Sequence, residues 1–224
     1  MLSEDPADMM QIRCRFNFEI SIQSQLHHPN IVAIEGICCN PLSMLFELCP
    51  EGDLLQFIED YQNQISWKLR SKILMELASA IQYLHTLPVP VIHRDLKSMN
   101  VLMFSTNEND PLIIKVADFG TAIKFLRPIS SRVVDNPTWL APEILEGSEY
   151  DLSVDIYAFG MICYETFARE QPFLTRWSET EVIVLSGRRP TIPPECPEFF
   201  SHLMQACWAQ VPSSRPSWNH IITE

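Results

Sequence analysis

The sequence predicts an α+β fold in which a small strand-bearing N-terminal piece precedes a larger helical body. Three observations lead there. Two short apolar runs, 31–39 and 42–48, are separated by Asn40-Pro41 and bounded by breakers, which favours a pair of antiparallel strands. After Cys49-Pro50-Glu51-Gly52 the apolar period becomes helical and stays so. Within that part, 67–85 places Leu69, Ile73, Leu74, Leu77, Ala80, Ile81 and Leu84 at helical spacing around much of one helix, as expected of a buried core helix. The 224 residues suit one domain of ordinary size.

The elements follow in order. Residues 1–12 are polar and irregular and read as a tail or loop. From about 13 to 26, Phe16, Ile20 and Leu26 recur at helical spacing, and His28-Pro29-Asn30 ends the helix because proline biases its predecessor away from helical geometry. Asp53 is a good N-cap for a helix over 54–61. Strand-like pieces lie around Val91, 101–104 and 113–117. Later helices are expected at 141–145, 153–168, 179–185 and 198–208, and residues 219–224 read as the start of a final one.

Composition removes several classes. Hydrophobic residues make up 46% and charged residues 20%, a globular balance. Asp and Glu number 28 against 16 Lys and Arg, a net charge of −12, so the broad basic surface that nucleic acid requires is missing. No apolar run approaches the roughly 18 residues of a membrane span. Glu4, Asp5 and Asp8 with no cation before Met10 make neither a secretory signal nor a transit peptide. The seven cysteines are odd in number and contain no C-x-x-C pair. A disulfide framework or zinc site is not expected, and a reducing, cytoplasmic setting fits.

Chemistry concentrates in three motifs in one order. His93-Arg94-Asp95 is followed by Asn100, then Asp118-Phe119-Gly120, then Ala141-Pro142-Glu143. With each residue type at roughly one in twenty, ten fixed positions arise by chance about once in 10¹³ trials, and freedom of spacing returns only about six or seven decades. One motif alone would be an ordinary turn or helix start; the ordered set is not.

On these motifs the sequence from Phe16 onward resembles a eukaryotic protein kinase domain of the tyrosine-kinase-like group, nearest to leucine-rich-repeat and Roco kinases. The resemblance implies a bilobal fold with a tail (1–15), an N-lobe remnant (16–48) and a C-lobe (49–224). It also implies transfer of the ATP γ-phosphate to a protein substrate, with Mg²⁺ as the cation. The resemblance makes Asp95 the acceptor or orienter of the substrate hydroxyl, Lys97 a point charge near the transferred phosphate, and Asn100 and Asp118 the Mg²⁺ ligands. Phe46-Glu47-Leu48-Cys49 is similar to the hinge and Glu19 to the αC glutamate. Glu47, Cys49, Asp53, Leu102 and Glu19 are accordingly expected at the nucleotide, with Asp53 near its ribose. Asp155 resembles the buried aspartate that holds the catalytic loop, and Arg215 the partner of Glu143. Lys97 resembles the serine/threonine rather than the tyrosine kinases.

Some positions depart from the pattern. Eighteen residues precede Glu19 and contain neither glycine nor lysine, so the Gly-rich loop and the lysine that pairs with this glutamate are not in the sequence. Ala122-Ile123-Lys124 looks like that lysine strand but follows Asp118-Phe119-Gly120 and belongs to the activation segment. Arg15 is expected to pair with Glu19 along one helix face. Gln23 stands where the family places an apolar residue and needs a hydrogen-bond partner. These departures suggest a fragment, a shortened product or a pseudokinase. Two readings therefore stand: a serine/threonine kinase, or a catalytically impaired kinase-like binding module. Weak ATP binding and self-association through the exposed N-lobe remnant are further expectations.

Overall fold

The structure, a computed structural model, describes residues 6–223, with no side-chain description for 6–9, 11 and 15. The expected Arg15–Glu19 pair and the first five residues of the tail lie outside the described residues. Helix α1 spans Pro6–Gln23. Residues 6–12, expected as tail or loop, are therefore helical: Ala7, Met9, Met10 and Gln11 are good helix formers, and proline is tolerated in a first turn. The helix also stops earlier than its apolar spacing suggested. Gln25 N–H bonds Ile22 O (3.1 Å) and Leu26 N–H bonds Gln23 O (3.0 Å), so a tight turn buries Leu26 instead of continuing the helix.

Strands β1 (Ile34–Cys39) and β2 (Leu42–Phe46) pair antiparallel in register from Cys39↔Leu42 to Ile34↔Phe46, with an irregularity at Gly36. The first strand begins later than expected because residues 30–32 turn to the helical body. Val32 N–H bonds Val116 O (2.9 Å) and Val116 N–H bonds Asn30 O (2.8 Å). Asn30 is buried, and its side-chain amide donates to Glu76 Oε2 (2.8 Å) and Ile114 O (3.0 Å), which fixes this seam.

The body opens with α2 (Leu54–Glu59), whose N-cap Asp53 accepts from Gln56 N–H (3.0 Å), and α3 (Trp67–Thr86), capped by Ser66. Two small antiparallel ladders flank the motifs: β3 (Val91–Ile92) with β6 (Ile123–Lys124), and β4 (Val101–Met103) with β5 (Ile114–Val116). Helices α4 (Pro142–Leu145), α5 (Ser153–Ala168), α6 (Trp177–Leu185), α7 (Glu198–Cys207) and α8 (Trp218–Thr223) follow. Helix α5 is buried on nearly all sides and is the axis of the body. Its Gly160 permits a close approach of α7: a Cβ there would lie 2.9 Å from Cys207 Cβ and 3.2 Å from Trp208 N.

Candidate active site

The site is assembled on the axis helix. Asp155, in the first turn of α5, is fully buried and accepts the backbone N–H groups of His93 (2.8 Å) and Arg94 (3.1 Å). These two bonds hold the start of the catalytic loop, where Arg94 has the left-handed φ of 68°. Burial alone would raise the Asp155 pKa; hydrogen bonding to His85 and the His93 contacts outweigh it and the net shift is downward. The His85 bond is directional. Trp218 Nε1–H donates to His85 Nδ1 (2.8 Å), so Nδ1 accepts, and His85 Nε2–H must donate to Asp155 Oδ2 (2.9 Å).

Beyond Arg94 the loop makes a short turn over Ser98–Asn100. Lys97 Nζ donates to Asp95 Oδ2 (2.7 Å). Asn100 Nδ2 donates to Asp95 O (2.8 Å), so Asn100 Oδ1 is left as an acceptor. Ala117 N–H bonds Asn100 O (2.9 Å), His93 Nε2 contacts Ala117 O (3.0 Å), and the His93 and Phe119 rings lie 5.0 Å apart. Asp118 is therefore presented beside the loop, again with a left-handed φ of 62°. Asp95, Lys97, Asn100 and Asp118, singled out from sequence, are thus brought to one place.

A cavity of about 300 Å³ adjoins them, lined by Glu19, Gln23, Val32, Phe46, Glu47, Leu102, Ala117 and Asp118. Lys115 Nζ meets Glu47 Oε1 (2.9 Å), which also accepts Ala33 N–H (2.6 Å). Glu19 has no such partner among the described residues. Burial and the neighbouring Asp118 carboxylate both push its pKa up. Gln23 donates Nε2–H to Val32 O (2.9 Å), while its Oε1 is buried without a partner.

At the far side of the loop, Glu143 and Arg215 form a two-pronged buried ion pair at 2.6 and 2.8 Å. The sequence pattern of the protein tyrosine and serine/threonine kinase family matches residues 3–224. The chain is a protein kinase domain. A Dictyostelium discoideum protein named cyclic GMP-binding protein C is 38% identical over 99% of this chain, which covers 9% of that protein. The probable serine/threonine-protein kinases pats1 and roco8 of the same organism are 41% and 39% identical, each over 92% of this chain and 6% and 12% of their own length. The domain thus spans about a tenth of the relatives it matches, and these names bear out the Roco resemblance.

Of the five residues expected at the nucleotide, the kinase domain places Glu19, Glu47 and Leu102 on the cavity, whereas Cys49 and Asp53 lie outside its lining. The Asp53 carboxylate is engaged at the cap of α2. Three further groups bear on the site and escaped the sequence reading: His85, Lys115 and Glu165. Glu165 is buried in α5, accepting Ser98 Oγ–H (2.8 Å) from the catalytic loop and Trp139 Nε1–H (2.9 Å) from the segment before Ala141. Burial pushes its pKa up to about 8 despite both bonds. One signal was available: Glu165 and Asp155 are the only charges in the otherwise apolar run 154–168.

Proposed function

We propose that this kinase domain transfers the terminal phosphate of ATP to serine or threonine hydroxyls of protein substrates. The observation that carries the reading is the single braced turn that offers Asp95, Lys97 and Asn100 beside Asp118. The residues present fit Mg-ATP. Asn100 Oδ1 is left as an acceptor, and Asp118 accepts only a long bond from Gly120 N–H (3.3 Å) among the described residues, so two hard oxygen ligands remain for Mg²⁺. When bound, Mg-ATP supplies the transferable phosphate and a cation that neutralises charge on its oxygens.

The chain's own groups do the positioning. Asp95 accepts or orients the substrate hydroxyl proton. Lys97 keeps Asp95 in place with one ammonium proton and has two more to offer a phosphate oxygen. Val32 and Leu102 supply apolar walls for the base. The Glu47 carbonyl and Cys49 amide make no hydrogen bond among the described residues, which leaves an acceptor and a donor for the base edge. Asp53 keeps its second carboxylate oxygen for a ribose hydroxyl. Glu19 belongs to the phosphate end of the same cavity.

The coarser expectations belong to the same reading: a division at residue 48 into N-lobe remnant and C-lobe, and a cytoplasmic setting, which the free cysteines suit. No helix among the described residues is long and apolar enough to cross a membrane. Self-association through the β1–β2 hairpin is supported by the exposure of Ile37, Leu45, Phe46 and Leu48, the last at 80%. Nucleotide binding tests the reading. ATP affinity should rise on adding Mg²⁺, and Asp118→Asn should remove that increment while leaving the fold intact. An equal Mg²⁺ response in parent and variant would remove Asp118 from the cation.

A further inference from the structure

The nucleotide cavity contains a group that phosphate transfer does not use. Gln23 is only 3% exposed, yet its Oε1 has no hydrogen-bond partner. The orientation of this carboxamide is settled. Val32 O can only accept, so the NH₂ group must face it and the oxygen turns away from that carbonyl, on a side chain that lines the cavity. Leaving such an atom unsatisfied costs free energy unless a donor or a cation meets it.

Glu19 and Gln23 are four residues apart on α1, hence on one helix face. Asp118 comes in from the opposite side. A Cβ placed on Gly120 would lie 3.2 Å from Asp118 Oδ1 and 3.6 Å from Glu19 Oε2, so both carboxylates close on the same spot. The fourth polar lining residue, Glu47, is already neutralised by Lys115 at 2.9 Å. Among the described residues no ion pair reaches Glu19 or Asp118. The result is an acceptor-only cradle of two carboxylates and one amide oxygen, with cavity space for water.

We propose that Glu19, Gln23 and Asp118 form a divalent-cation site, of the Mg²⁺ or Mn²⁺ class, that fills without nucleotide. Charge selects the class: two carboxylates balance one divalent ion, whereas an ammonium leaves one negative charge over. Ligand number agrees, because a small hard cation held by few protein oxygens keeps several waters, and the roughly 300 Å³ cavity admits them. Bound there, the ion ties α1 to the Asp118-Phe119-Gly120 turn, two segments that no ion pair joins among the described residues. The site shares Asp118 with the nucleotide metal but does not include Asn100, so the two are separable.

The test is Mn²⁺ binding to the nucleotide-free chain, followed by the loss of the free-ion electron paramagnetic resonance signal. The parent should bind Mn²⁺. Glu19→Gln and Gln23→Leu should each weaken it by about tenfold or more, and Asn100→Ala should leave it within twofold. In case a variant misfolds, the parent alone gives a second reading: Mn²⁺ should broaden the Gln23 side-chain amide resonances ahead of those of Asn100. Absence of binding at millimolar Mn²⁺ overturns the proposal, as does binding of methylammonium but not Mn²⁺. Loss of binding in Asn100→Ala with retention in Glu19→Gln also overturns it, while leaving the phosphate-transfer reading untouched.

Discussion

Replacing Glu165 by glutamine should flatten the dependence of stability on pH. The carboxylate is fully buried in α5, and its pKa is raised from 4.5 to about 8. The folded state therefore holds a proton across a window in which the unfolded chain has lost it. The sign follows: stability is highest below about pH 4.5, declines as pH rises, and stops declining above about pH 8. At 1.36 kcal/mol per unit, the cost of this one group near pH 7 is on the order of 3 kcal/mol. Glutamine can keep both contacts. Its oxygen accepts from Trp139 Nε1–H, and its NH₂ donates to Ser98 Oγ, since a hydroxyl both donates and accepts. The comparison is made by urea unfolding of parent and Glu165→Gln at pH 5 and pH 7.5; subtracting the two curves removes every other titrating group. The variant should gain on the parent by roughly 2–3 kcal/mol across that interval. Parallel pH dependences would refute the reasoning. Glu165→Leu should lose roughly 1–3 kcal/mol at pH 5, because it leaves two buried donors unpaired, and markedly less at pH 7.5, where it is spared the same titration cost as the glutamine variant.

Two other outcomes are expected. Arg94 Nη1 reaches Ser131 Oγ at 3.5 Å, whereas Arg132 is held by Glu181 at 2.6 Å, so a phosphate placed on Ser131, rather than on its neighbour Ser130, is expected to pair with Arg94. Phosphorylation there should slow amide exchange over residues 121–135 by pairing with Arg94, and unchanged exchange in the Ser131-phosphorylated chain would sink that pairing. Gly160→Ala should destabilise the domain by roughly 1–3 kcal/mol, because the new methyl meets the Cys207 Cβ and the Trp208 backbone. A loss under about 0.5 kcal/mol in thermal or urea unfolding would mean that α5 and α7 move apart freely.

Much of this architecture was legible because its signals are local. Long apolar periods fixed α3 and α5, and α5 matches its expected bounds, Ser153–Ala168. Asp53 caps the helix assigned to it, and the ordered motifs placed Asp95, Asn100 and Asp118 together. What escaped depends on partners distant in sequence. Whether His85 ends a helix at the surface or braces Asp155 is decided by Trp218, 133 residues away. Nothing in the strand-like run 113–117 marks Lys115; its pairing with Glu47 exists only because the N-terminal piece folds over β5. The start of α1 was missed for another reason: a polar helix lacks the apolar period by which the others were found. Gln23 was recognised as anomalous, but only the structure shows that its amide is satisfied on one side alone.

The most direct measurement is transfer of labelled γ-phosphate from Mg-ATP to a serine-bearing protein substrate, parent against Asp95→Asn. Asparagine preserves the size of the side chain and still gives Lys97 an oxygen at the position now 2.7 Å away, but it cannot take up the hydroxyl proton. The parent should transfer phosphate, and Asp95→Asn should be slower by about 10²–10⁴-fold with nucleotide affinity and unfolding midpoint unchanged. Equal transfer by the two proteins, or none by the parent under saturating Mg-ATP, would contradict the assignment of this loop as the catalytic centre.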